Sequence, residues 1–127
     1  MINIPVSIGE LIDKVTILQI KRGKIKDSEK LKNVMKELQE LLVLAKPYMS
    51  NPVDVILYEE LLSTNMELWD IEDKLRKYER RKLFNDEFVQ LARRVYITND
   101  RRSDIKNSIN KLSGSEIVEV KQYVKYK

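Results

Sequence analysis

The 127 residues include no cysteine and no histidine. Without cysteine there is no disulfide, no thiolate nucleophile and no cysteine-based zinc site. Without histidine the chain lacks the usual general acid–base group and the commonest metal ligand. A metal would need an all-oxygen site of the magnesium or calcium kind, and no residue pattern calls for a cofactor. Glycine and proline occur only three times each, too few for the many turns of an all-β fold. No apolar run approaches the length of a membrane span. The N-terminus, MINIPVSIGE, lacks a charged segment followed by an apolar core, so no signal peptide is expected. The expectation is a cytoplasmic protein with one domain over residues 1–127.

Apolar residues make up 43% of the chain, enough to drive folding, and charged residues 35%, so the surface must be largely ionic. The 24 basic and 20 acidic residues leave a net charge of +4 and a pI near 9.2. This balance mildly favours anionic partners. The basic stretches KRGKIK (21–26) and RKYERRK (76–82) are short and lie on helical patterns. They read as solvated helix faces rather than a nucleic-acid arm. Nucleic-acid binding would therefore rest on net charge alone.

The apolar residues recur at helical spacing. Ser7 and Glu10 form a capping box before a first helix, Ile8 to about Lys26, with Gly23 weakening its last turn. Ser28 can cap a second helix, striped by Leu31, Val34, Met35, Leu38, Leu41, Leu42 and Ala45 and stopped by Pro47. Asn51 caps a third, with Pro52 in the preferred first position. It runs unbroken to about Lys82, roughly 45 Å. Asn85 caps a fourth helix that reaches Leu112, and Gly114 stops it. The short link between the third and fourth helices predicts a long antiparallel hairpin, with the first two packed on it. The fold class is thus mainly α, an up-down bundle of four helices. The termini differ: INIPV (2–6) and SEIVEVKQYVKY (115–126) are rich in strand formers. A short β-ribbon of the two termini and a closing helix are both open. Ile17 and Ile20 lie off the main face of the first helix, so a second body must cover them. The termini are one candidate, and a homodimer through this helix is the favoured one. Asp13 shares that second face and would pair across the interface or meet solvent.

Two acidic pairs, Glu37-x-x-Glu40 and Glu67-x-x-Asp70, fit the ExxE…ExxD signature of the all-α nucleotide pyrophosphatases. Phase opposes this reading. Glu40 falls opposite the stripe of its helix and Asp70 well off its own, whereas metal ligands in a bundle project inward. The same phase argument favours other residues. Asn65, Glu72 and Arg76 fall on or beside the apolar stripe of the third helix, flanked by Trp69. The inward face of the fourth changes from apolar to Asn99, Arg102, Lys106 and Asn110, and that of the first ends in Gln19, Arg22 and Lys26. Buried charge without partners is costly. These faces therefore line either a wet, salt-bridged end of the bundle or a pocket. The pocket would be basic, with Arg22, Arg76, Arg102 and Lys106 against Glu72. Arginine forms bidentate contacts with phosphate and carboxylate, so a small anionic ligand is the expected occupant, with a protein partner as the other prospect.

The segments IPVSIGELIDKVTIL (4–18), LWDIEDKLRKYE (68–79), FVQLARRVYITNDRR (88–102), KNSINKLSGS (106–115) and EVKQY (119–123) resemble a family of short all-helical proteins of bacteria and phages, catalogued as a domain of unknown function. The resemblance implies a shared fold and carries no catalytic residue. ELIDKVTILQIKRGKI (10–25) is also a little similar to the first helix of the all-helical chorismate mutases. Those enzymes hold a dicarboxylate between Arg and Lys residues and need neither His nor Cys. The similarity implies an enzyme alternative run by electrostatic stabilisation from the four cations. In the mutases, however, the long helix comes first.

Overall fold

The computed structural model describes all of residues 1–127. It contains four α-helices: α1 (Ile8–Lys24), α2 (Ser28–Ala45), α3 (Pro52–Arg80) and α4 (Asp86–Ser113). A single 3-10 turn, Lys46–Tyr48, links α2 to α3. No helix is long and apolar enough to cross a membrane. The boundaries follow local chemistry. Ser7 Oγ accepts from Glu10 N at 3.1 Å, Asn51 Oδ1 from Asp54 N at 2.8 Å and Asn85 Oδ1 from Phe88 N at 2.9 Å. The cap of α2 is Asp27 rather than Ser28, its Oδ1 accepting from Glu29 N and Lys30 N. The first helix stops at Lys24, two residues short of Lys26, because Ile25 is already extended. Gly114 ends α4 in the left-handed conformation, φ 69°.

Helix α1 packs on all three others, and α3 packs along α4. The core runs through Ile12, Val15 and Leu18 of α1, Val34 and Leu38 of α2, Leu61 of α3 and Ile105 and Ile109 of α4. Each such side chain, fully buried, contributes roughly 1.5–3 kcal/mol. All of these positions lie at the open end of the α3–α4 hairpin. The other half of the hairpin extends beyond α1, whose 17 residues are far fewer than the 29 of α3.

The expectation for the termini is corrected here. Residues 1–6 and 115–127 form no strand, so there is no β-ribbon, and no closing helix either. An isolated two-stranded ribbon has little stability of its own. The C-terminal segment is instead tied to the helices by side chains. Ser115 Oγ accepts from Ile8 N at 3.1 Å, and Tyr126 Oη donates to Asp100 Oδ2 at 2.6 Å while its ring meets Tyr96 edge-on. On α1, Ile20 is only 2% exposed within the single chain and Ile17 is half-buried. Both line a cleft shared with α3 and α4 residues rather than packing under the termini.

The N-terminus of α1 butts against α4. Gly9 N donates to Asn110 Oδ1 at 2.7 Å, and a Cβ on Gly9 would lie 2.5 Å from the Lys106 carbonyl oxygen. That oxygen is backbone and cannot swing aside. Gly9→Ala is therefore expected to destabilise the fold by about 1–3 kcal/mol, despite the better helix propensity of alanine. Gly23, with nothing within 4 Å of its would-be Cβ, is the control. Gly23→Ala should be neutral or stabilising by up to about 1 kcal/mol. Urea midpoints of the two variants check both signs.

Candidate functional site

Three helices contribute to one buried polar layer. Asp13 and Thr16 lie one turn apart on the second face of α1, Asn65 sits on α3 and Arg102 on α4. Asp13 is 1% exposed. Its Oδ1 accepts from Asn65 Nδ2 at 2.8 Å and from Arg102 Nε at 2.9 Å, and its Oδ2 accepts from Arg102 Nη2. The pair is therefore the bidentate fork that guanidinium and carboxylate form best. Thr16 Oγ1 accepts from Asn65 Nδ2 at 2.8 Å and donates to the Asp13 carbonyl at 2.6 Å. A carboxylate taken out of water costs several kcal/mol unless its lone pairs are satisfied, and here three side-chain hydrogen bonds reach it. Those bonds hold the Arg102 pKa above its ordinary value, against the opposing effect of burial.

Beyond this layer α1 ends and the hairpin continues, which leaves a cleft of about 460 Å³ between α1, α3 and α4. Ile17, Ile20, Leu68 and Trp69 make its apolar wall. Asn65, Asn99 and Arg102 sit at its inner end, and Glu72, Asp73 and Arg76 follow one another along α3. Six of the residues singled out in the sequence thus meet: Asn65, Trp69, Glu72, Arg76, Asn99 and Arg102. Two do not. Arg22 is exposed on α1, where its charge acts on the Tyr58 phenol, which burial pushes above its ordinary pKa. Lys106 is buried and already neutralised, its Nζ donating to Glu10 Oε2 and Glu119 Oε2, each at 2.7 Å. The cleft is therefore not the basic pocket expected. Arg76 and Arg102 stand against Glu72 and Asp73, two charges of each sign.

The ExxE…ExxD carboxylates are dispersed. Glu37 pairs with Lys14 at 3.2 Å, Asp70 with Lys24 at 3.6 Å, and Glu67 with Arg94 at 3.0 Å and also with Arg101. No group of three acidic residues could hold a metal ion. A second groove, about 710 Å³, lies along α3 and α4 and is lined by Glu59, Glu60, Glu67 and Arg101. It has no aromatic wall, and its Glu67–Arg101 charges are already paired.

Sequence reasoning placed Asp13 on the second face of the first helix and offered it a partner across a dimer interface or a solvent gap; its partners here are Asn65 and Arg102 of the same chain. Glu10, Glu119 and the wall formed by Ile17 and Ile20 were not foreseen. Only the phase of Asp13, shared with two isoleucines, marked it as buried. Nothing local tied residue 13 to residue 102.

Removing one member of a buried pair leaves the other without compensation. Asp13→Ala is expected to cost about 3–5 kcal/mol, whereas Glu67→Ala, in a more exposed cluster, should cost about 1 kcal/mol or less. Chemical denaturation of both variants separates the two. The Lys106 hydrogen bond holds the Glu119 carboxyl below its ordinary pKa. A depressed folded pKa means the contact stabilises above the ordinary carboxylate range and is lost as pH falls through the depressed value. Burial opposes the charge on Lys106, but its two carboxylates outweigh it and raise the pKa, so the ammonium persists to alkaline pH. The NMR chemical shifts of residues 116–126 should thus move toward random-coil values on acidification below about pH 4, and Glu119→Gln should show those values already at neutral pH.

Neither the curated proteins nor the solved structures contain a match to this chain. A family model described as a family of unknown function, DUF6165, matches residues 2–126, and it does not restrict the family to bacteria or phages. Since the match runs over nearly the whole chain, the protein belongs to the DUF6165 family.

Proposed function

We propose that the protein binds a small organic anion in the α1–α3–α4 cleft, as a binding module rather than a catalyst. The observation that carries this reading is the double role of Arg102. Its inner edge is fixed by Asp13, yet its side chain is 27% exposed and lines the cleft. A guanidinium oriented before the ligand arrives loses little freedom on binding, and its outer edge still offers donors to a carboxylate or phosphate. Arg76 makes no ion pair within the chain and adds a second cation along the wall. Trp69, Leu68, Ile17 and Ile20 supply the apolar surface such sites use.

The mutase alternative loses its basis, because Arg22 and Lys106 do not converge with Arg76 and Arg102. A protein partner remains a second reading on one observation: Val43 and Leu44 are adjacent on α2 and 76% and 60% exposed.

Trp69 is the only tryptophan, so its fluorescence reports on the cleft directly. A panel of inorganic phosphates, nucleotides, nucleotide sugars and aromatic dicarboxylates is to be screened by fluorescence and thermal shift. A ligand at about 100 times its Kd adds about 2.7 kcal/mol, a rise of roughly 10 °C in Tm for a chain of this size. Arg76→Ala and Asn99→Ala, both away from the buried pair, should weaken any hit. A panel without response, or a hit indifferent to both variants, rules the cleft out as the site.

A further inference from the structure

We propose that the ligand of this cleft is an extended zwitterion, a molecule with an acidic group at one end, a flat apolar body and a cationic group at the other. The inference rests on the binding reading above and specifies its chemistry.

The cleft has two chemically different poles. At the inner end the Arg102 guanidinium faces outward from its contact with Asp13. Asn65 lies beside it, 6% exposed, with its amide nitrogen committed to Asp13 and Thr16. Its Oδ1 makes no hydrogen bond within the chain and is not fully buried, so a partly accessible acceptor sits beside the cationic donor. Further along α3 stand Glu72 and Asp73, and neither carboxylate makes an ion pair or hydrogen bond within the chain. The spacing of Glu72 and Arg76 allows a helix ion pair, but none forms. Seven residues of helix separate Asn65 from Glu72, roughly 10 Å. Trp69 lies between them on the same helix, on the apolar wall.

A simple anion would meet Arg102 but leave Glu72 and Asp73 at the far end with only Arg76 beside them, a net negative charge that disfavours a second anionic group by repulsion. A nucleoside triphosphate or a dicarboxylate would meet that repulsion directly. A ligand with an ammonium at the far end satisfies both poles. A compact α-amino acid cannot, because its two charges sit on one carbon while the poles lie two helical turns apart.

Three matched probes test this: 4-(2-aminoethyl)benzoate, 4-ethylbenzoate and 4-methylphenethylamine. They share the flat body and carry both charges, the anion alone and the cation alone. Binding is read by calorimetry and by Trp69 fluorescence at low salt. The expected result is that the zwitterion binds about five- to ten-fold more tightly than the benzoate. That advantage should disappear in a Glu72→Gln, Asp73→Asn double variant, which should bind 4-ethylbenzoate no more weakly than the parent chain. Equal affinities for the zwitterion and the benzoate would overturn the two-pole assignment and leave anion binding standing. An amine that binds as tightly as the zwitterion would remove the role of Arg102. Silence from all three probes at millimolar concentration, together with silence across the wider panel, would remove the cleft as a site altogether.

Discussion

The structure is organised around one carboxylate that has been taken out of water. Asp13 lies near the middle of α1, and its hydrogen-bond partners come from positions 65 and 102. A buried ion pair of this kind often adds little net stability over an apolar packing of the same volume. Its effect is on choice. An α1 rotated or slid along the hairpin would bury the Asp13 charge without a partner, so competing arrangements are penalised far more than the native one is favoured. Apolar stripes alone cannot make that distinction, since leucine and isoleucine pack acceptably in many registers.

The same economy governs the polar half of α4. Beyond the apolar Leu91 and Val95, its inward side chains include Asn99, Arg102, Lys106 and Asn110 beside the core residues Ile105 and Ile109, and each polar one meets a specific neighbour or the cleft. Lys106 collects Glu10 from α1 and Glu119 from the C-terminal segment. Asn110 accepts from Gly9 N, although its own amide nitrogen is buried without a partner. The positive end of the bundle is therefore quenched from within. What reaches solvent in the cleft is a balanced pattern of charge rather than excess positive charge.

Much of this was legible in the chain. Capping residues and apolar spacing located all four helices to within a few residues, because those signals act within a single turn. Phase along α3 and α4 brought six cleft residues together, since a helix face is set by local geometry. The failures share one cause. Strand propensity in residues 115–126 is local, but their conformation depends on Lys106, Asp100 and Tyr96 of another element. Ile20 was correctly marked as buried and Ile17 is half-buried beside it, yet the sequence does not say what covers them. Arg22 and Lys106 were grouped with the cleft because charge can be counted from sequence whereas pairing cannot.

One missing methyl group at Gly9 has a mechanical meaning. Without a side chain at Gly9, α1 can lie against the Lys106 carbonyl of α4. A side chain there would wedge the two helices apart, and the Asp13–Arg102 contact one turn along would have to open with them. The position of Arg102 at the inner end of the cleft thus depends on a residue that never touches what the cleft would hold.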